Sequence, residues 1–193
     1  MVTQSIRCFV AIELPDKVQH LLTGVQGSLR EEIVGASWTR KGNFHLTLKF
    51  IGEVEDEKIA QIDSVLQRTL LSYKPFLIEV GGIGVFPSLD RPRVLWIGLK
   101  DGKADVSRLA GAINRGFVKI GIRNESRFHP HLTLARLRRP VNLESKIEFF
   151  KKFDKVIGTE LTVNQIALIK SELQRSGAVY TSLKHYKLGQ GES

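Results

Sequence analysis

"HLTLKF" at residues 45–50 and "HLTLAR" at residues 131–136 open with the same tetrapeptide and use two of only five histidines in a chain of 193 residues. The second copy begins 86 residues after the first, close to half the chain, which is the mark of an internal repeat. Each copy alternates polar and apolar residues, the period of a strand with one buried face. Successive side chains of a strand point to opposite faces. His45 and Thr47 therefore share one face, with Leu46 and Leu48 on the other, and His131 and Thr133 stand likewise against Leu132 and Leu134. Each strand sends leucines into a core and holds an imidazole and a hydroxyl outward. If a two-fold relates the halves, the two polar faces meet across a cleft. Strict alternation also sets Lys49 beside His45 at the rim of that cleft. It turns Arg136 away from His131 unless the strand ends, bulges or twists there.

The flanking sequence repeats the same plan. "IRCFVAIEL" (6–14) reads as a strand ending at Pro15, and residues 16–33 place Val18, Leu21, Leu22 and Val25 at helical spacing. "ASWTR" (36–40) only ends that helix. A strand is predicted over 44–54, a helix over 55–73, a glycine-broken strand over 76–86, a loop over 87–93 and a strand over 94–99. The second half gives a helix over 105–120, a strand over 131–137, a short helix over 144–153, and strands over 160–173 and 178–188 joined by the turn "QRSG". No Pro-, Ser- or Gly-rich linker divides the halves. Neighbouring strands without long helical crossovers favour antiparallel pairing. The expectation is one α+β domain over 1–193, built as two intertwined, related lobes.

Composition bounds the partners. Apolar residues make up 42% and charged residues 25%, enough for a core and too mixed for disorder. No apolar run approaches the ~18 residues of a membrane span, and "MVTQSIRCFVAIELP" lacks the pattern of a signal peptide. A cytoplasmic protein without a membrane partner is expected. The lone Cys8 lies in the apolar run "CFVAI" and reads as a small core hydrophobe, not as a reactive thiolate. Twenty-nine Lys and Arg against 20 Asp and Glu give a net charge of +9. That balance favours a polyanion such as RNA but names no reaction.

A matched pair of histidines does suggest one. Imidazole titrates near neutrality, so of two rings facing one small substrate one can give a proton while the other takes one. Threonine hydroxyls two residues on can donate to phosphate oxygens, where negative charge accumulates. "HPH" (129–131) could instead place two metal ligands on one strand face, but no neighbouring Asp, Glu or Cys completes a set. His129 reads as incidental, and His20 and His185 as solvent-facing. Phe9 and Trp38 are candidates to stack on a base. "GGIGVF" (81–86) lacks the Lys and Ser/Thr of an ATP-binding loop and reads as a bulged strand.

"NFHLTLKFIGEV" and "FHPHLTLARL" resemble the two His-x-Thr-x motifs of the 2H phosphoesterase superfamily, and within it the bacterial and archaeal RNA 2′,3′-cyclic phosphodiesterases, formerly called 2′–5′ RNA ligases. The resemblance extends to "RCFVAIELP", "FPSLDRPRVLWIGL" and "IALIKSELQRSGAVY". It implies a bilobal α+β fold, with a groove between two pseudo-symmetric antiparallel sheets flanked by helices. It implies metal-independent, cofactor-free hydrolysis of an RNA or oligonucleotide 2′,3′-cyclic phosphate end to a 2′-phosphomonoester by a monomer. His45 would be the proton donor to O3′ and His131 the acceptor that activates water. Thr47 and Thr133 would hold the phosphate, and Arg136 would stabilise transition-state charge. The chemistry of a near-symmetric pair does not itself say which ring is acid. A related ester, such as a 2′–5′ linkage cleaved or sealed, and non-catalytic RNA binding are the alternatives.

Overall fold

A computed structural model describes residues 5–125, 127–139, 141–153, 158–174 and 177–189. Residues 1–4, Pro140 of "RLRRP" and residues 175–176 of the "QRSG" turn lie outside the described residues. In chain order the elements are β1 (Ser5–Glu13), α1 (Asp16–Glu32), β2 (Ala36–Trp38), β3 (His45–Glu55), α2 (Asp56–Leu70), β4 (Phe76–Phe86), β5 (Val94–Asp101), α3 (Lys103–Lys119), β6 (Leu132–Leu137), α4 (Ile147–Phe153), β7 (Thr159–Val163), β8 (Gln165–Gln174) and β9 (Gly177–Lys187).

The strands pair in the order β9-β8-β1-β3-β6-β5-β4-β7, with β2 added on β6. Every neighbouring pair on this path is antiparallel. The junction β3–β6 divides the path into two runs of four, and strands at equal distance from it correspond: β3 with β6, β1 with β5, β8 with β4, β9 with β7. At the junction Leu46 lies opposite Leu132. These are the same residue of the repeated tetrapeptide, so the pseudo-two-fold passes between them. The two sheets expected from the resemblance are thus halves of one curled sheet, hinged at a single residue pair.

The stretch 160–173, read from sequence as one strand, is two. Residues 159–163 pair with β4 in one lobe, and after Asn164 residues 167–170 pair with β1 and 165–174 with β9 in the other. The sequence hid the break because both pieces carry strand-like residues and only Asn164 separates them. "ASWTR" likewise supplies a short strand, β2, where only a helix end was expected.

One core lies between the helices and the sheet, formed by Val10, Ile12, Leu46, Leu48, Leu132, Leu134 and the apolar stripes of α1, α2 and α3. The α2–α3 contact is close because α3 offers Gly116, where an added Cβ would come within 2.6 Å of a Val65 methyl. The alternate residues of β1 and β8, Phe9, Ala11, Ala167 and Ile169, form a smaller apolar layer with Tyr180 on the opposite face. The GGIGVF strand is bulged, as read: register shifts between Val80 and Ile83. Gly84 leaves room for the Trp96 indole, which would meet an added Cβ at 2.3 Å.

Leu46 is fully buried at the hinge pair. Truncating it leaves a cavity at the junction of the lobes, so Leu46→Ala is expected to cost about 2–5 kcal/mol in urea unfolding. A loss below about 1 kcal/mol would contradict the hinge packing.

Candidate active site

The decisive local feature is a β-bulge at the fourth residue of each tetrapeptide. Along β3–β1 the register runs Thr47–Ala11 and then Lys49–Val10, leaving Leu48 unpaired. Along β6–β5 it runs Thr133–Trp96 and then Ala135–Leu95, leaving Leu134 unpaired. An extra residue reverses the alternation beyond it. Leu48 and Lys49 are both buried, as are Leu134 and Ala135. The next residue in each strand, Phe50 or Arg136, therefore returns to the side of the histidine. Arg136 joins the groove by one of the routes anticipated from sequence. Lys49 does not line the rim: it is 3% exposed, and its Nζ donates to the Arg123 carbonyl at 2.8 Å and lies 3.5 Å from Glu125 Oε2. The bulge reverses its direction, a shift that simple alternation misses.

The groove between the lobes has a volume of about 670 Å³ and is lined by His45, Thr47, His131, Thr133 and Arg136 together. All five sequence candidates therefore meet in one cavity. Asn43, Phe50, Thr39, Ser171, Tyr180 and Arg7 also line it and were not singled out from sequence. Phe50 was legible in principle, since it stands at the repeat position of Arg136. The β8 and β9 residues come from the far end of the chain and carry no motif.

The two imidazoles are held alike. His45 Nδ1 is 2.8 Å from the Asn43 carbonyl, and His131 Nδ1 is 2.7 Å from the His129 carbonyl. A carbonyl only accepts, so Nδ1 carries hydrogen in both rings and Nε2 is left for the groove. At position 129 it is the backbone carbonyl, which any residue would supply, that fixes the His131 tautomer. Phe9 packs against His45 with ring centroids 4.7 Å apart, and Tyr180 meets the same ring edge-on at 5.2 Å. Phe86 meets His131 edge-on at 5.0 Å. Phe9 lines the groove but is only 3% exposed, and the contact it makes there is support of the His45 imidazole. Trp38 lies under the Arg30 guanidinium and does not line the groove.

Burial holds both histidines below their ordinary pKa. For His45 the charge of His131 acts in the same direction, while the Asn43 carbonyl and the Glu13 carboxylate pull it back up. For His131 the His129 carbonyl opposes the shift, and the charges of His129 and Arg136 reinforce it. Neither Thr47 nor Thr133 hydroxyl has a hydrogen-bond partner among the described residues. Both stay available to a ligand.

Of the remaining sequence candidates, Cys8 lies buried in the wall of the groove, its thiol pushed up to about 11 by desolvation, which suits a packed residue and not a thiolate. His20 and His185 are exposed, the latter paired with Glu13 at 2.6 Å. Among the described residues, no group of three or more His, Cys, Asp or Glu side chains is placed to hold a metal ion. Nor is any described helix long and apolar enough to cross a membrane.

The model of the LigT-like phosphoesterases matches this chain twice in succession, over residues 12–96 and 97–180. The chain belongs to the LigT-like phosphoesterase family. The two matches are the repeat itself, one per His-x-Thr-x motif. Relatives include the RNA 2′,3′-cyclic phosphodiesterase of Methanothermobacter thermautotrophicus, 32% identical with 95% of this chain and 99% of that protein covered. That of Aquifex aeolicus is 32% identical, with 95% and 98% covered. A crystal structure from Thermus thermophilus superposes with a TM-score of 0.80 at 28% identity, covering 97% of this chain and all of that one. The fold is also that of Escherichia coli LigT, with a TM-score of 0.75 over the same shares at 24% identity. As a LigT-like phosphoesterase the protein is a hydrolase of the 2H superfamily.

Both groove imidazoles are expected to titrate below 6.5 in the free protein, read by NMR of the ring protons. The unfolded chain then binds more protons than the folded one on acidification, so stability should fall as pH drops below 6.5. A midpoint above 6.5 for either ring would contradict the burial described here.

Proposed function

We propose that this LigT-like phosphoesterase hydrolyses the 2′,3′-cyclic phosphate end of RNA to a 2′-phosphomonoester, without a metal, by general acid–base catalysis. The observation that carries this reading is the matched pair of Nδ1-anchored imidazoles in one groove, each flanked by an unpartnered threonine hydroxyl. The names of the relatives, RNA 2′,3′-cyclic phosphodiesterase, supply the substrate class. The net charge of +9 suits a polyanion.

In this mechanism neutral His131 takes a proton from water through Nε2 as the oxygen attacks phosphorus. His45, protonated, gives its Nε2 proton to the departing O3′. The phosphorus keeps O2′, and the two rings exchange protonation states by the end of the turnover. Burial lowers the pKa of both rings, and the charge of His131 lowers that of His45 further; against this the Glu13 carboxylate favours a charged His45, while the Arg136 guanidinium favours a neutral His131. The assignment of acid and base follows the family resemblance. Thr47 and Thr133 donate to the non-bridging oxygens, and Arg136 balances the charge that builds on them. We read the whole chain as a single 2H phosphoesterase domain and propose that it acts as a cytoplasmic monomer. Sealing of 2′–5′ ends is the same displacement with a 5′-hydroxyl in place of water, O3′ again leaving as the 3′-hydroxyl, and would use the same residues.

A short RNA with a 2′,3′-cyclic end, incubated with chelator-treated protein, should yield a 2′-phosphate, identified by phosphorus NMR. A 3′-phosphate would reverse the leaving group, no product would leave only RNA binding, and a rate restored by zinc would overturn the metal-free step. His45→Ala and His131→Ala should each lower kcat by about 10²- to 10⁴-fold in a folded protein. Full activity in either variant would refute the pair.

A further inference from the structure

Helix α1 buries two glutamines among its core-facing apolar residues, Gln19 and Gln26. Seven residues make about two turns, so both lie on one side of the helix. Their amides go to the two motifs. Gln19 Nε2 donates to the Phe44 carbonyl, immediately before His45, at 2.8 Å, and its Oε1 accepts from the Gly42 backbone at 3.1 Å. Gln26 Nε2 donates to the Leu134 carbonyl, immediately after Thr133, at 2.8 Å, and to the Thr39 carbonyl at 2.9 Å. Leu134 is the bulge residue that returns Arg136 to the groove. Its carbonyl also accepts from the Thr39 backbone at 2.9 Å, and the Thr39 hydroxyl takes the adjacent Thr133 carbonyl at 2.8 Å.

We infer that Gln19 and Gln26 are positioning residues, which make α1 a rigid strap behind both motifs, Gln19 for His45 and Gln26 for Arg136. This inference rests on the hydrolase reading above. A bulge is the part of a ladder most free to shift by a residue, and slipping this one would turn Arg136 out of the groove. A buried amide with both hydrogens committed to fixed carbonyls holds the register with directional bonds, which an apolar side chain of the same size would not. Gln19 does the same for the segment 42–44, whose Asn43 carbonyl sets the His45 tautomer. Because the helix is one rigid body, the two functional groups are tied to each other as well as to their own strands.

The test is a double-mutant cycle on turnover of an RNA with a 2′,3′-cyclic end, using wild type, Gln26→Met, Arg136→Ala and the double variant, each checked for folding by circular dichroism. Gln26→Met should lower kcat about 10- to 100-fold with Arg136 present, and by less than about 2-fold once Arg136 is alanine. Gln19→Met should lower kcat by the same factor in both backgrounds, since it acts through His45. Equal effects of Gln26→Met in the two backgrounds, or no effect at all, would overturn the inference. So would an Arg136→Ala variant with unchanged kcat. Should Gln26→Met not fold, the shorter amide in Gln26→Asn, which cannot span both carbonyls, takes its place with the same expectation. Wild-type protein that leaves the substrate intact would instead sink the hydrolase reading, so the two failures are distinct.

Discussion

The groove exists because Leu46 faces Leu132. Among the described residues that pair is where the ladder of one lobe meets the ladder of the other. The two residues are the same position of a repeated tetrapeptide, so what stands beside one stands, inverted, beside the other. His45 and His131 reach the groove from opposite sides for this reason, and in-line displacement at phosphorus needs such an arrangement. A proton must arrive on one side of the phosphorus as another leaves from the opposite side. A single motif on a single sheet would put both functions on one side.

Symmetry alone would not make a directional enzyme. Repeat-equivalent positions carry different residues: Phe50 where the other half has Arg136, and Lys49 where the other has Ala135. The bulges decide which of these the substrate meets. In the first motif the bulge removes an ammonium from the groove and buries it on a backbone carbonyl and Glu125. In the second it delivers a guanidinium. One local distortion, repeated, thus gives one side of the groove an aromatic ring and the other a fixed positive charge. Burial lowers both imidazoles; within that shared shift the carboxylate of Glu13 pulls His45 back up, while the guanidinium of Arg136 pushes His131 further down.

Much of this was legible in the sequence. Period-two alternation from His45 to Leu48 and from His131 to Leu134 gave the strands, the inward leucines and the outward His–Thr pairs. The half-chain spacing gave the two lobes, and the motif resemblance gave the family. What failed was whatever depends on a departure from regular geometry or on long-range pairing. Lys49 was placed on the wrong face because a bulge leaves no mark in hydropathy when both flanking residues are buried. The break at Asn164 was invisible because β7 and β8 both read as strand and the crossing between lobes takes one residue. Gln19 and Gln26 looked like ordinary helix residues, since their partners are backbone carbonyls 25 and 108 residues away. Phe9, a candidate for base stacking, became instead the support beneath His45.

The central claim is that the two histidines move protons and neither attacks phosphorus. Stereochemistry at phosphorus tests it most directly. A 2′,3′-cyclic phosphorothioate of known configuration is hydrolysed in ¹⁸O-water and the configuration of the product is read. One in-line displacement by water, with His131 and His45 as base and acid, inverts the centre. Retention would mean two displacements through a phosphorylated side chain, and would contradict the account.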